Sequence, residues 1–137
     1  MHTYEKKSIL VVEDDAQFRK LLQQNLANNG YEVRSAANAA EGLQILEQHI
    51  PNVIVLDIGL PGMSGLDLCR SIKTKDHLKR IPVVFLTGRE SLDEFKACRE
   101  AGGVFCASKT NGLENMIAVV NTLCSVQKTS DPQLSLK

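Results

Sequence analysis

The chain has 137 residues, of which 43% are hydrophobic and 23% are charged. This length allows one domain with a core of its own, and the composition excludes a disordered or fibrous chain. Sixteen basic residues balance sixteen acidic ones, which argues against direct binding of nucleic acid. The apolar stretches are much shorter than a membrane span and no apolar leader precedes Ser8, which predicts a cytoplasmic protein without a membrane partner.

Five short apolar runs predict the strands of a sheet. They lie at residues 8–12, 31–34, 52–56, 82–86 and 103–106. The first, third and fourth runs are almost wholly apolar, as strands covered on both faces must be. Segments with helical periodicity separate the runs, so a βα unit occurs five times. This order predicts an α/β fold: a doubly wound five-stranded parallel sheet with right-handed crossovers and helices on both faces.

Local signals place the ends of some helices. Asp15 follows the first strand and is expected to cap the first helix, while Ser91 and Glu94 have the spacing of a capping box before the fourth. In that fourth segment Leu92 and Cys98, with a phenylalanine between them, recur at helical spacing and predict one common face. The four cysteines contain no C-x-x-C pair, so we expect free, buried thiols rather than a zinc or redox motif.

Polar side chains follow four of the five strands, at the edge where parallel α/β sheets bind ligands. Glu13 and Asp14 follow the first strand, and Asp57 ends the third. Carboxylates crowded together need a proton or a cation, and oxygen ligands of this kind select Mg²⁺. Thr87 ends the fourth strand and Lys109 follows the fifth, so both could hold an anion beside the metal. The pattern predicts a phosphoryl pocket in which Asp57 is the nucleophile.

Four motifs resemble those of the response-regulator receiver family. They are VVEDD at residues 11–15, DIGLPGMSG at 57–65, PVVFLTG at 82–88, and AGG at 101–103 leading to Lys109. The motifs occur in order at matching intervals, and the resemblance covers about residues 7–126. It implies a flavodoxin-like (βα)5 sheet with strand order 2-1-3-4-5. It also implies a phosphoacceptor receiver domain of a two-component phosphorelay, with phosphorylation of Asp57 switching a protein-interaction face.

The resemblance implies a role for each residue of the site. The groups expected to bind Mg²⁺ are Glu13, acting through water, Asp14, Asp57 and the backbone carbonyl of Gly59. The groups expected to act on the phosphoryl group are Asp57 as acceptor, with Thr87 and Lys109 on the phosphoryl oxygens. On this reading the chain is not an enzyme in its own right, but it assists its own phosphoryl transfer and dephosphorylation.

The sequence departs from the family at two positions. Thr110 follows Lys109, where the family usually has a proline with a cis peptide bond. Cys106 stands where receivers commonly place the aromatic residue that moves with the threonine. Phe105 is adjacent, but neighbouring residues of a strand face opposite sides of the sheet. The phosphate chemistry is therefore expected to be intact and the aromatic relay to be altered.

The resemblance also implies partners. A sensor histidine kinase or a histidine phosphotransfer protein would donate the phosphoryl group. A downstream output protein would bind the face made of the fourth helix, fifth strand and fifth helix, through which the monomer could also form a weak dimer. Residues 1–126 are expected to form the receiver domain, with residues 127–137 as a polar tail or the start of a linker.

Three alternatives stay open at this point. A receiver-like interaction module could work without phosphorylation, which Cys106 and Thr110 favour. The chain could be a receiver fragment of a larger hybrid kinase or regulator. A phosphatase with an aspartyl-phosphate intermediate would need a second carboxylate two residues after Asp57, and that position is Gly59.

Overall fold

Five parallel strands form a single sheet in the computed structural model, which describes residues 6–89 and 91–129. The strands are β1 Ser8–Val12, β2 Glu32–Ala36, β3 Val53–Asp57, β4 Val83–Thr87 and β5 Phe105–Ser108. The helices are α1 Ala16–Asn28, α2 Ala39–Leu46, α3 Gly65–Lys73, α4 Leu92–Glu100 and α5 Leu113–Thr129. The strand order is β2-β1-β3-β4-β5 with every neighbouring pair parallel, so the predicted doubly wound sheet and its order are confirmed.

Helices cover both faces of this sheet, because the central strands are apolar on both sides. Leu10 of β1 packs in one cluster with Leu68 of α3, whereas its neighbour Val11 packs in another with Leu22 of α1 and Met116 of α5. All of these side chains are buried. Each contributes roughly 1.5–3 kcal/mol to the stability of the sheet, which fixes the edge where the polar residues lie.

The fifth strand begins two residues later than the run at 103–106 predicts. Gly103 packs so closely on Phe85 that a Cβ there would lie 2.5 Å from a ring carbon. The amide of Gly103 donates to the carbonyl of Cys98 at 2.9 Å, so this residue closes the end of α4 and is not part of β5. The prediction was wrong because Gly103 belongs to the turn that ends α4, while its apolar neighbours resemble a strand.

The face predicted for α4 is buried only in its second half, although its residues line one cavity. Cys98 is buried at 2% exposure, but Leu92 is 86% exposed and Phe95 is 37% exposed. The helix packs chiefly on β5, which is an edge strand and offers little surface to cover the first turn. The start of α4 is as predicted, since the Ser91 hydroxyl accepts a hydrogen bond from the amide of Glu94 at 3.1 Å.

Helix α5 continues to Thr129 and so passes the domain boundary expected at residue 126. Its last turn is anchored by Gln127, whose side-chain amide donates to the carbonyl of Asn52 at 2.7 Å. The Asn52 side chain donates back to Gln127 at 2.8 Å. Residues 130–137 of the expected tail lie outside the described residues.

Candidate functional site

Three carboxylates meet at the carboxyl edge of the sheet. Strands β1 and β3 are neighbours with Val12 opposite Leu56, which sets Glu13 beside Asp57. One oxygen from each of Glu13, Asp14 and Asp57 lies within 4.8 Å of the other two. Glu13 is fully buried and Asp57 is 4% exposed, whereas Asp14 faces solvent. The structure therefore brings together the acidic residues that the sequence places at this edge.

Lys109 lies between the two buried carboxylates. Its Nζ is 2.8 Å from Oε1 of Glu13 and 3.1 Å from Oδ2 of Asp57. The same ammonium lies 5.3 Å from the centroid of the Phe18 ring, close enough for a cation–π contact. The backbone amide of Lys109 donates to the carbonyl of Thr87 at 2.9 Å, which fixes the residue just beyond β5. The sequence gives no sign of this contact, because an apolar residue of α1 such as Phe18 is expected to pack on the sheet.

The charges at this site perturb one another. Burial raises the pKa of Glu13, although the close contact with the Lys109 ammonium and the hydrogen bond from the backbone amide of Asp15 oppose that change. Burial lowers the pKa of Lys109, but the carboxylates of Glu13 and Asp57 outweigh it and the net pKa is raised. The lysine therefore stays charged at neutral pH and partly neutralises the acidic cluster.

The donor set fits a divalent cation. Oε1 of Glu13 is buried and, among the described residues, accepts no hydrogen bond of good geometry; its contact is the ion pair with Lys109. Asp14 offers an exposed carboxylate beside it. An all-oxygen set with few protein ligands suits Mg²⁺. The loop after β3 lines the same space, and the amide of Gly59 donates to Oδ1 of Asp57 at 3.2 Å.

The backbone of Asp57 is fixed by the turn into α3. Gly65 lies directly against it, since a Cβ on Gly65 would be 2.1 Å from the Asp57 carbonyl oxygen. The amide of Gly65 donates to the carbonyl of Ile58 at 2.9 Å, and Ser64 caps α3 through the amide of Asp67. Only a residue without a side chain allows this close return of the chain.

Thr87 lies at the same edge but its hydroxyl is already engaged. Oγ1 of Thr87 is hydrogen-bonded to the carboxylate of Glu94 in the first turn of α4. It also accepts from the amide of Arg89 at 2.9 Å and lies 2.8 Å from the Arg89 carbonyl. A hydroxyl has one proton to donate. Sequence reasoning took Glu94 only as a capping residue and missed this role; its position in the first turn after β4 was the one available signal.

Side-chain hydrogen bonds shape the turn after Lys109, where the family usually has proline. The hydroxyls of Ser108 and Thr110 lie 2.8 Å apart, and the amide of Thr110 donates to Oγ of Ser108 at 3.2 Å. Gly112 closes the turn by donating to the carbonyl of Ser108 at 2.9 Å. The polar residues thus hold the segment that carries Lys109.

Cys106 and Phe105 face opposite sides of the sheet, as predicted. Cys106 packs against the cluster under α3 and α4, and Phe105 packs with the cluster under α1 and α5. Cys106 is half-buried, while the other three cysteines are buried; all four are free thiols. The expectation of buried free thiols is therefore confirmed except for the exposure of Cys106. No aromatic side chain occupies the position of the family's relay on β5.

The carboxylates, Thr87, Glu94 and Lys109 line one open cavity of about 560 Å³ at the carboxyl edge of the sheet. An acidic cluster beside a fixed lysine can hold a cation and an anionic phosphoryl group together. The family model described as the response regulator receiver domain matches residues 9–121. The chain thus belongs to the receiver-domain family of response regulators.

Comparison with individual proteins agrees with this assignment. The chain is 35% identical over 126 residues to the response regulator MprA of Mycobacterium ulcerans, covering 91% of this chain and 53% of MprA. It spans about half the length of the curated relatives that it matches. A response regulator from Chloroflexus aurantiacus superposes with a TM-score of 0.83 at 28% identity, covering 88% of this chain and 99% of that one. The chemotaxis response regulator CheY4 of Vibrio cholerae, at 23% identity and a TM-score of 0.81 over 87% and 99% of the two chains, shares the fold.

Proposed function

We propose that this chain is the phosphoacceptor of a two-component phosphorelay and that Asp57 receives the phosphoryl group. One observation carries the proposal. The Lys109 ammonium lies within 3.1 Å of the buried Asp57 and Glu13 carboxylates, in a cavity that also contains Thr87. Burying two carboxylates beside a single lysine costs folding free energy, so a purely structural role does not explain them. Their place at the carboxyl edge of a parallel α/β sheet suits phosphoryl transfer.

The chemistry is the transfer of a phosphoryl group from a phosphohistidine. A carboxylate oxygen of Asp57 attacks phosphorus, the O–P bond forms, the N–P bond breaks, and the imidazole leaves with a proton from solvent. Lys109 neutralises charge on the equatorial oxygens, and Thr87 donates to one of them after it releases Glu94. Mg²⁺ held by Glu13, Asp14, Asp57 and the Gly59 carbonyl would neutralise further charge on those oxygens. Hydrolysis of the acyl phosphate by water then restores the carboxylate.

The output follows from the hydroxyl of Thr87. When Thr87 turns to the phosphoryl group, Glu94 loses its partner and the first turn of α4 is free to move. A change in α4 alters the face formed by α4, β5 and α5, where an output protein or a second copy would bind. A histidine kinase or histidine phosphotransfer protein is the donor in this proposal.

The setting of the domain is part of the same proposal. None of the helices formed by residues 6–89 and 91–129 has the length and apolar character to span a bilayer. A kinase that draws on ATP supplies the phosphoryl group in the cytoplasm, where we place this domain. A match to about half of each relative is compatible with a receiver within a longer regulator or hybrid kinase.

Phosphorylation by phosphoramidate and Mg²⁺ tests the proposal directly. Wild type should gain the mass of one phosphoryl group, and peptide mapping should place it on Asp57. Asp57→Asn should gain none, whereas the control Asp67→Asn, an exposed carboxylate on α3, should react as wild type does. Asp14→Ala should abolish the dependence of the rate on Mg²⁺. Equal modification of wild type and Asp57→Asn would overturn the assignment.

A module that signals without phosphate is the second candidate, favoured by Cys106 in place of the aromatic relay. It predicts that an output protein binds wild type and Asp57→Asn equally, with or without phosphodonor. A binding measurement on the four combinations separates the two functions, because a phosphorylation switch changes affinity only in wild type with the donor present.

A further inference from the structure

Two cysteines lie in contact where α4 meets β5. The thiol of Cys98 on α4 donates a weak hydrogen bond to the sulfur of Cys106 on β5, with the sulfurs 3.4 Å apart. Both line a cavity of about 440 Å³ together with Leu92, Phe95 and Arg99. The cavity is separate from the acidic site, and nothing in the proposed phosphoryl chemistry uses these thiols.

The two thiols differ in access and in acidity. Cys106 is half-buried and open to the cavity, whereas Cys98 is buried beneath it. The hydrogen bond between the two thiols lowers the pKa of Cys106, which accepts it. The same bond, together with burial, raises the pKa of Cys98, which donates it. The thiolate is the form that reacts with oxidants. Cys106 is thus suited to react first, and Cys98 lies next to it to react second.

The remaining cysteines lack this combination. Cys69 and Cys124 are buried, and burial raises the pKa of each. Cys124 belongs to the cluster on the opposite side of the sheet from Cys98. Cys69 shares a cluster with Cys98 and is the one rival as a partner.

We propose that Cys98 and Cys106 form a redox modification site that a hydroperoxide converts to a disulfide. The Cys106 thiolate attacks the peroxide oxygen, the O–O bond breaks, and Cys106 becomes a sulfenic acid while the departing oxygen leaves as water or an alcohol. The Cys98 sulfur then attacks the Cys106 sulfur, the S–O bond breaks, and the hydroxyl leaves as water with the Cys98 proton. Two thiols lose two electrons and two protons, and the peroxide accepts them. A dithiol reductant reverses the step by exchange.

The disulfide would tie α4 to β5 across the face that the proposed function uses for output. Cys98 lies one helical turn after Glu94, whose carboxylate holds Thr87. A covalent bond at Cys98 would therefore restrain the movement of α4 that follows release of Thr87. This second part rests on the proposed function, whereas formation of the disulfide does not.

The site is tested by treating the native chain with hydrogen peroxide, removing the peroxide, unfolding the chain in guanidinium, blocking residual thiols with N-ethylmaleimide and measuring the intact mass. Wild type should keep two alkylatable thiols out of four, and mapping should show a Cys98–Cys106 cross-link that dithiothreitol removes. Cys69→Ala/Cys124→Ala should form the same cross-link. Cys98→Ser and Cys106→Ser should each form none. Four alkylatable thiols after peroxide, or a Cys69–Cys98 link, would overturn the proposal.

Formation of the disulfide and phosphorylation of Asp57 can be tested independently of each other. Asp57→Asn should form the cross-link as readily as wild type, since the thiols lie outside the acidic cavity. Oxidised wild type should accept phosphoryl from phosphoramidate several-fold more slowly than reduced wild type. This difference should vanish in Cys106→Ser. Equal rates for oxidised and reduced wild type, with the cross-link present, would refute the restraint on α4 and leave the redox site standing.

Discussion

The buried hydroxyl of Thr87 is hydrogen-bonded to the carboxylate of Glu94, so the end of β4 is joined to the first turn of α4. The hydroxyl can donate only one proton. A phosphoryl group on Asp57 would compete with Glu94 for it. Phosphorylation and the position of the first turn of α4 are therefore coupled in the proposed mechanism, and each should influence the other to the same extent.

Weakening this hydrogen bond should favour the phosphorylated form. In Glu94→Gln the charged acceptor becomes neutral, which weakens the bond to Thr87 by about 1 kcal/mol, or roughly fivefold in the equilibrium. The rate of phosphorylation by phosphoramidate should rise by about that factor, as measured by mass spectrometry over time. Asp93→Asn removes an exposed charge from the same turn and is the control. Equal rates in the two variants would contradict the coupling.

Removing the lysine should destabilise the metal-free protein. In Lys109→Met the buried Glu13 and Asp57 carboxylates lose their shared cation, which we expect to cost about 2–4 kcal/mol of unfolding free energy. Urea denaturation with and without Mg²⁺ measures this loss, and saturating Mg²⁺ should restore a large part because it stabilises the folded state by mass action. Lys20→Met, on the exposed side of α1, should change neither value. A Lys109→Met variant as stable as wild type without metal would refute this view of the site.

The close return of the chain at Gly65 should be intolerant of any side chain. In Gly65→Ala the new Cβ would meet the Asp57 carbonyl oxygen at 2.1 Å, so the loop or the strand end must shift. We expect a loss of about 1–3 kcal/mol in unfolding free energy together with slower phosphorylation. A Cβ at Gly88 would meet nothing within 4 Å, so Gly88→Ala is the matched control for stability. Similar urea midpoints for the two variants would show that the turn is not so constrained.

Tyr31 should make stability depend on pH in the alkaline range. Burial, with a smaller contribution from Cys124, raises the pKa of Tyr31 from 10.0 to about 12, and its hydroxyl donates to Asn121. The folded state thus resists ionisation, and the resulting stability is complete below pH 10 and is lost as the pH rises toward 12.

The comparison with Tyr31→Phe isolates this effect, because phenylalanine does not ionise. Urea denaturation across this pH range should show wild type losing about 2 kcal/mol more than the variant. At neutral pH the variant should be about 1 kcal/mol less stable, since it lacks the hydrogen bond to Asn121. A constant difference between the two proteins at all pH values would argue against a raised tyrosine pKa.

Patterns within the sequence were sufficient to predict the sheet and the edge of the sheet where the site lies. Apolar strands followed by Glu13, Asp57 and Lys109 determine that edge, because the ends of parallel strands must coincide. The partner of Thr87 could not be predicted in this way. It depends on where the first turn of α4 sits on β5, which is set by packing at the edge of the sheet. The contact of Phe18 with Lys109 likewise depends on how α1 packs against the sheet.

Strand β2 occupies the edge of the sheet farthest from β5, and none of the side chains that line the acidic cavity comes from residues 20–56. The surface of that stretch can therefore accumulate substitutions without altering the reacting groups. Related receivers could therefore differ in this part of the surface while the phosphoryl transfer at Asp57 stays the same. Swapping exposed residues of α2 between paralogues should preserve phosphoramidate reactivity.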